Sequence, residues 1–326
     1  MPSRHWPCQC CLAYNSFFVL KHLQGIEISI PGSSANLGGG FDTLGLAVQL
    51  YLRVRIADVR DDGAGRLTVV KSTPAVQGEN AVERAYSTLV RMAGGKAPSL
   101  DVEVHSEIPM AAGLGSSAAA AVAGIRLFEL VTAPMSDGAL LAAATALEGH
   151  ADNAAAALFG GLTSVVGDRQ VLRWTWPDEL KLVVATPGVG LATAKARAAL
   201  SPTIERRDAV FNLQRVLALV HALQTGDYAQ LREAVRDTWH QPARMALIPQ
   251  LEAVLALDDP EVFGAFLSGA GPSVALIARR DFGRIQQRLE EIYEGAGSAV
   301  TVRTLAVHQS VQVMPAAIAA ARGRSV

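Results

Sequence analysis

The chain has 326 residues, of which half are hydrophobic and 18% charged, and its formal net charge is −1. This length and composition are typical of one large or two ordinary globular domains and exclude a disordered chain. The lack of a basic excess gives no support for a nucleic-acid partner. No apolar run reaches the ~18 residues that a membrane helix requires, so no membrane partner is expected either.

The three cysteines, Cys8, Cys10 and Cys11, all lie at the start of the chain. The absence of cysteine from the rest of the sequence excludes disulfides and thiolate metal sites from the folded body and indicates a reducing, cytoplasmic compartment. Residues 1–25 show no pattern with a readable chemical role. We interpret them as an N-terminal extension that is either disordered or an incorrectly assigned start of translation.

Strands and helices are mixed in the first half of the chain. Alternating hydrophobic residues predict a strand at 25–30 that ends at Pro31, and a loop rich in Gly, Ser and Asn follows it to Gly40. The further predicted elements are strands at 46–57, 67–71 and 100–105, a helix at 79–92, an alanine-rich helix that ends near 130, helices at 137–147 and 152–158, and strands at 162–166 and 171–174.

The pattern changes after Pro177, so we place a domain boundary there and expect domains at 26–176 and 177–326. The second half is predicted to contain strands at 180–185, 262–267, 274–278 and 300–307 and helices at 208–224, 229–239, 249–257 and 282–294. Because strands and helices do not alternate strictly in either half, the pattern favours an α+β fold over a doubly wound α/β fold.

A central loop joins the strand at 100–105 to the alanine-rich helix and is the strongest candidate for a binding site. It consists of Pro109, Met110, Ala111, Ala112, Gly113, Leu114, Gly115, Ser116, Ser117 and Ala118. The N–H groups at a helix N-terminus lack intrahelical partners and suit a phosphate, glycines permit positive φ, and serine hydroxyls add donors or a metal ligand. A capped helix after a tight turn is the alternative.

Known nucleotide signatures fit this loop poorly. The chain contains no G-x-x-x-x-G-K-[ST] motif. Residues 113–118 fit the loose dinucleotide pattern G-x-G-x-x-A, but the acidic residue expected about 20 positions later would be Asp137. Since Asp137 is predicted to begin another helix, the sequence argues against a Rossmann dehydrogenase.

Two more Gly/Ser loops, at 31–42 and 268–273, stand before and after the central loop in the chain. In this order the three loops resemble the motifs of the GHMP small-molecule kinases, and the resemblance covers roughly residues 26–320. It implies a two-domain α+β fold: an N-terminal ribosomal-protein-like α/β domain with a phosphate loop that opens a helix, and a C-terminal ferredoxin-like α+β domain. It also implies ATP and Mg²⁺ as cofactors and a homodimer.

Within that family the sequence is similar to the homoserine kinases. The similarity is carried by residues 33–45, 148–153, 159–161, 193–197 and 268–273, with Gly39 where the family usually has proline. It implies transfer of phosphate from ATP to the hydroxyl of L-homoserine, a step of threonine biosynthesis. Another GHMP kinase, of the mevalonate or shikimate type, is the first alternative. A non-catalytic nucleotide or amino-acid sensor is the second.

The resemblance also implies roles at the ATP end of the site. The central loop would hold the phosphates, with Gly269 and Gly271 of the third loop nearby, while Ser117 and Glu148 would bind Mg²⁺. Asn80 matches an adenine-contacting asparagine of the family, although its position equally suits a helix N-cap. His150, next to the metal ligand in the chain, is interpreted as structural.

At the acceptor end, the resemblance implies that Asp42 pairs with the ammonium of homoserine and that Asn36 orders the first loop or adds a hydrogen bond. Asn153 would lie near the alcohol and the γ-phosphate. Arg197 and Arg244 would bind the carboxylate, for which arginine offers a planar fork. Asp42, Asn153 and Arg197 are thus the residues expected to act in catalysis. With no obvious general base, positioning and charge neutralisation would suffice.

Overall fold

The computed structural model describes residue 20 and residues 22–309, apart from residues 77, 79 and 168. The three cysteines and most of the predicted extension therefore lie outside the described residues, as does the predicted helix start at Glu79. The described end of the extension is folded, because Leu20 and Leu23 are buried in the hydrophobic core. Ordered structure thus begins before Gly25, earlier than the sequence suggested.

The first sheet is built around one long strand that has three neighbours. Its strands are β1 (Glu27–Ala35), β2 (Leu44–Arg60), β3 (Leu67–Thr73), β4 (Ser99–Ser106), β5 (Leu162–Val166) and β6 (Gln170–Trp174). The order is β3-β4-β2-β5-β6, with β1 also paired to β2, and only β3 and β4 are parallel. Buried and more exposed residues alternate along β2 from Gln49 to Ile56, so this part has one face in the core.

The helices of the N-terminal half whose bounds the structure describes are α1 (Ala81–Met92), α2 (Ser116–Val131), α3 (Asp137–Glu148) and α4 (Asp152–Phe159). Helix α2 is the central one and contacts the other three. Its small residues let neighbours approach closely. At Gly124, a Cβ atom would lie 2.6 Å from the Cβ of Ala85 on α1. The helix that follows the central loop is therefore fixed on several sides.

The second sheet consists of β7 (Lys181–Pro187), β8 (Val262–Leu267), β9 (Val274–Ala278) and β10 (Val300–Leu305), all antiparallel in the order β10-β7-β9-β8. The helices of this half are α5 (Thr193–Ala198), α6 (Arg206–Thr225), α7 (Leu231–Ala234), α8 (His240–Arg244), α9 (Leu251–Leu255) and α10 (Phe282–Gly295). The predicted α+β class is confirmed.

Both faces of the second sheet are buried. Alternate residues of β7, such as Leu182 and Val184, belong to the large core shared with the first sheet. The residues between them, such as Val183, belong to a second core with Leu289 of α10. Because the large core crosses the predicted boundary near residue 177, the domains 26–176 and 177–326 stay a prediction.

The structure differs from the predicted elements most clearly at two places. The first loop begins later than predicted, because β1 continues past Pro31 to Ala35 after a shift in register. The helix predicted at 229–239 is wrong: a 3-10 turn and α7 end at Ala234, and the next helix, α8, begins only at His240. Between them, the Asp237 carboxylate accepts hydrogen bonds from the N–H groups of Trp239 and Gln241, which breaks the helical course. Among the described residues, no helix combines the length and hydrophobicity needed to cross a membrane.

Candidate active site

The three Gly/Ser loops meet at one place in the structure. The Ser34 hydroxyl lies 2.7 Å from the Ser268 hydroxyl, which in turn donates to the carbonyl of Gly113 at 2.7 Å. The Ser33 N–H donates to the Leu114 carbonyl at 3.1 Å. Loops that are far apart in the sequence thus form one hydrogen-bonded unit.

Glycine is required where the loops touch. Gly113 and Gly115 have φ of +78° and +72°, a region that residues with a Cβ rarely adopt. A Cβ at Gly113 would overlap the Ser268 carbonyl oxygen, and one at Gly115 would overlap the Ser33 hydroxyl. In the structure these glycines therefore make room for the neighbouring loops.

A cavity of about 360 Å³ opens between the loops, which is within the usual size of a small-molecule site. The predicted site residues that line it are Asn36, Asp42, Ala111, Ala112, Gly113, Gly115, Ser116, Ser117, Ala118, Glu148, Asn153, Arg197, Arg244 and Gly269. The sequence thus predicted most of the polar residues at this cavity.

Five predicted nucleotide-binding residues are not among those that line the cavity: Asn80, Pro109, Met110, Leu114 and Gly271. Asn80 is the N-cap of α1, and its side chain accepts from the Val82 N–H at 2.9 Å. The capping role is therefore present. An adenine contact of Asn80 stays a prediction.

The phosphate end of the cavity lies at the N-terminus of α2. The N-cap residue is Gly115, and none of the described side chains caps this helix start, so its first N–H groups remain available to an anion. In the first turn of α2, the Ser117 hydroxyl donates to the Glu148 carboxylate at 2.9 Å. An anion site and two oxygen ligands are thus adjacent.

Ser117 and Glu148 fit the needs of Mg²⁺ that is shared with a nucleotide. Magnesium usually takes one or two protein oxygens and completes its shell with phosphates and water. Within the described part of the chain, no group of three or more His, Cys, Asp and Glu residues could hold a metal by itself. The donor set therefore suits a metal that arrives with phosphate.

At the other end of the cavity, Asp42 and Arg197 bind each other. The two guanidinium Nη atoms of Arg197 donate to the two carboxylate oxygens of Asp42, at 2.9 and 2.6 Å. The hydrogen bond that Arg197 donates to Asp42 raises the pKa of Arg197. Two groups assigned from the sequence to opposite charges of one substrate thus form a bidentate ion pair with each other.

Asn36 and Asn153 connect this ion pair to the loops. Asn36 is buried, donates to the Gly269 carbonyl at 2.9 Å and accepts from the Asp42 N–H at 3.1 Å. These two hydrogen bonds tie the first loop to the third, while the role of Asn36 toward a substrate stays a prediction. Asn153, at the start of α4, accepts from the Ser33 hydroxyl at 2.9 Å. Its amide thus lies beside the first loop and next to Gly115 of the central loop.

Arg244 is almost completely buried, at 1% exposure. Its Nε donates to the Ala196 carbonyl at 3.2 Å, and its Nη1 donates to the Gly269 carbonyl at 3.0 Å. Burial and the nearby charge of Arg197 lower the pKa of Arg244 to about 10, so the group stays charged at neutral pH. Arg244 thus adds positive charge to the end of the cavity that contains Arg197, although most of its side chain is buried in the cavity wall.

Comparison with known proteins decides the family. The chain matches the model of the GHMP kinases N terminal domain over residues 80–161 and that of the GHMP kinases C terminal domain over residues 219–295. It is 37% identical to the homoserine kinase of Solibacter usitatus (strain Ellin6076) over 299 residues, which is 88% of this chain and 93% of the relative. The chain belongs to the homoserine kinase family.

Further members of the homoserine kinase family agree with this. The homoserine kinase of Deinococcus radiodurans is 40% identical over 252 residues, or 76% of this chain and 82% of that protein. A crystal structure of homoserine kinase from Cytophaga hutchinsonii superposes with a TM-score of 0.76 at 26% identity, covering 88% of this chain and 96% of that one. The predicted family membership and fold are confirmed.

The sequence analysis missed several residues of this homoserine kinase family site. Arg84, an exposed residue of α1, lines the cavity. The ring centroid of Phe41 lies 5.5 Å from the guanidinium carbon of Arg197 and 5.5 Å from that of Arg244. No local pattern singles out Arg84, which reaches the cavity only through the fold, whereas Phe41 lies within the first loop but was given no role.

His150, interpreted from the sequence as structural, also lines the cavity. Its Nδ1 lies 2.9 Å from the buried carboxylate of Asp152, and this hydrogen bond raises the pKa of His150. In the sequence, only its position two residues after Glu148 indicated that His150 could lie at the site. The contact with Asp152 fixes the ring, while its place in the lining lets it face a ligand.

Proposed function

We propose that this chain transfers the γ-phosphoryl group of ATP to the hydroxyl of L-homoserine and yields ADP and O-phospho-L-homoserine. The proposal rests on the observation that one cavity contains both an uncapped helix N-terminus and the ion pair of Asp42 and Arg197. The first feature suits a phosphate donor, and the second suits an amino-acid acceptor.

At the donor end, the free N–H groups of α2 and the side chain of Ser116 would contact the phosphates of ATP. Ser117 and Glu148 would hold Mg²⁺. Bound Mg²⁺ neutralises charge on the phosphates during transfer. The lining residue Arg84 would add a further positive charge at this end.

At the acceptor end, homoserine would exchange with the existing ion pair. Its ammonium would take the place of Arg197 at the Asp42 carboxylate, and its carboxylate would take the place of Asp42 at Arg197. Because the ammonium and the carboxylate of homoserine replace the partners that Asp42 and Arg197 have now, each of the two side chains still faces an opposite charge in the complex. Asn153, beside the first loop and next to Gly115, would then lie near the hydroxyl.

Catalysis would rest on positioning and charge neutralisation. The oxygen of the homoserine hydroxyl would bond to the γ-phosphorus as the bond to the β-phosphate oxygen breaks, and the hydroxyl proton would pass to the transferred phosphate. A loose transition state needs little deprotonation of the nucleophile. Asp42 is a candidate for a general base by its residue type, but its carboxylate already forms an ion pair with Arg197.

The family resemblance further supports a cytoplasmic homodimer that acts in threonine biosynthesis. The absence of cysteine after residue 11 agrees with a reducing compartment. Light scattering coupled to size-exclusion chromatography would measure the mass of the assembly against the 34.3 kDa of one chain.

Release of ADP in the presence of L-homoserine, L-serine, mevalonate or shikimate, each with ATP and Mg²⁺, tests the reaction. We expect release that depends on homoserine and background rates with the other three. Release with mevalonate or shikimate in place of homoserine would identify a different GHMP kinase. Binding of ATP and homoserine without turnover would identify a sensor, and either result would reject the proposal.

A further inference from the structure

Arg244 is held by a histidine that no sequence motif assigned. His240 lies one helical turn before Arg244 on α8, and its ring is completely buried. Arg244 Nη1 lies 3.1 Å from His240 Nδ1, and His240 Nε2 lies 2.8 Å from the carbonyl oxygen of Gly38. A guanidinium can only donate and a carbonyl can only accept. Nδ1 must therefore be unprotonated, and Nε2 must carry the hydrogen.

The surroundings of His240 favour this neutral ring. Burial lowers the pKa of His240 and outweighs the raising effect of the Asp237 carboxylate, and the positive charge of Arg244 also lowers this pKa. The nearest carboxylate, Asp237, lies 3.6 Å from Nε2, beyond hydrogen-bond distance. It already accepts from the Asn212 amide at 2.7 Å and from the N–H groups of Trp239 and Gln241. Asp237 thus holds the backbone around His240 while the ring serves Arg244.

The bonds of Arg244 leave one nitrogen for a ligand. Nε is used by the Ala196 carbonyl, and Nη1 is shared between the Gly269 carbonyl and His240. Among the residues that the structure describes, none accepts a hydrogen bond from Nη2, and the side chain lines the cavity beside Arg197. The guanidinium plane is therefore fixed on one side, with Nη2 as its free donor.

We propose that His240 is a positioning residue that accepts a hydrogen bond from Arg244 Nη1 and thereby directs Nη2 toward the carboxylate of the acceptor. This inference rests on the proposed function, in which the acceptor is an amino acid. The Gly38 carbonyl, on the first loop, fixes the other side of the ring. His240 thus sets the direction of Arg244 relative to the loop that carries Asp42.

Two substitutions separate this role from a structural one. In His240→Asn, the amide oxygen takes the place of Nδ1 and can still accept from Arg244, but the bond to Gly38 is lost. In His240→Gln, the amide nitrogen takes the place of Nε2–H and can still donate to Gly38, but the acceptor for Arg244 is lost. The two variants remove one bond each from the same buried ring.

We expect His240→Gln to raise the KM for homoserine on the order of tenfold, because a misplaced binding group costs about that much or more. The KM for ATP should stay within about twofold of wild type in both variants, and His240→Asn should raise the KM for homoserine less than His240→Gln does, because it keeps the acceptor for Arg244. Equal effects of the two variants, or a larger effect of His240→Asn, would show that the ring only supports the first loop and would overturn the proposal. Thermal unfolding of both variants reports whether they are folded.

The state of the ring can be measured in the wild-type chain without any substitution. ¹⁵N NMR of the histidine side chains at neutral pH should show a neutral His240 ring with hydrogen on Nε2 and an unprotonated, hydrogen-bonded Nδ1. A doubly protonated ring, or hydrogen on Nδ1, would overturn the proposal even if both variants fail to fold. A wild-type chain that does not phosphorylate homoserine would instead reject the proposed function, and the NMR result would still decide whether His240 orients Arg244.

Discussion

The ion pair of Asp42 and Arg197 contributes little to the stability of the protein and is well suited to bind a ligand. Both side chains are more than one-third exposed, at 35% and 37%, and pairs of this kind contribute only about 0–1 kcal/mol to stability. Exchange for a zwitterion therefore costs the protein little. Asn36 holds the backbone of Asp42, which has a φ of +52°, so the carboxylate stays in place when its partner changes.

Replacing Asp42 by Asn should weaken homoserine binding without reducing the maximal rate. The amide keeps the shape of the carboxylate but cannot neutralise an ammonium group. The loss of a charged hydrogen bond should raise the KM for homoserine about 10- to 100-fold, with a much smaller change in the KM for ATP. Steady-state kinetics with each substrate varied would measure both. A collapse of kcat at saturating homoserine would show instead that Asp42 is a general base.

Replacing Arg84 by Ala should affect only the phosphate donor. Among the described residues, no carboxylate lies within ion-pair distance of this exposed guanidinium, so its charge is available to the phosphates of ATP. We expect the KM for ATP to rise about two- to fivefold, and less so at high salt, since an exposed charge is screened. Arg91→Ala, in the last turn of the same helix and outside the cavity lining, is the matched control. Equal effects of the two variants would exclude a local role for Arg84.

At the scale of whole elements, α2 combines two requirements. Its N-terminus must reach the cavity without a cap, and its body must pack tightly enough to keep that N-terminus in place. Twelve of its 16 residues are buried, most of them alanine or another small or aliphatic residue. The anion site is thus supported by helix packing in the core of the protein.

Replacing Gly124 by Ala should destabilise the protein although alanine is the better helix former. The added methyl would lie 2.6 Å from the Ala85 Cβ and 2.8 Å from the Val82 carbonyl oxygen on α1. Overpacking of this kind costs about 1–3 kcal/mol, more than the ~1 kcal/mol gained in helix propensity. Urea unfolding would measure the difference. Gly283→Ala on α10, where a Cβ meets nothing within 4 Å, is the control and should be neutral or stabilising.

The sequence predicted elements well where the pattern is local. Strands β8 and β9 and helices α3 and α4 appear within one residue of the predicted bounds. The failure at 229–239 has a local cause and a tertiary one. The Asp237 carboxylate accepts from the Gln241 N–H at the start of α8, and the Val235 backbone lies so close to Gly38 of the first loop that a Cβ there would overlap it. In the site, motif residues such as Ser117 and Glu148 were predictable. The pairing of Asp42 with Arg197 was not, since 155 residues separate them and only the fold brings them together.

For the whole molecule, the cavity depends on both halves of the chain. The phosphate loop and Asp42 come from the half that contains the first sheet. Arg197, Arg244 and Gly269 come from the half that contains the second sheet. Hydrogen bonds such as that between Ser34 and Ser268 cross between the halves, and so does the large hydrophobic core. Neither half alone contains all the residues that line the cavity.

This sharing predicts that the two halves unfold together. Trp176, at 1% exposure, lies at the junction, where its indole N–H donates to the Leu180 carbonyl at 2.9 Å, and the core on both sides of it is continuous. We therefore expect a single transition, in which tryptophan fluorescence and far-UV circular dichroism coincide in urea and the calorimetric and van't Hoff enthalpies agree. Two separate transitions would show instead that 26–176 and 177–326 are independent folding units. In that case, the shared core would contribute less to stability than the core of each half.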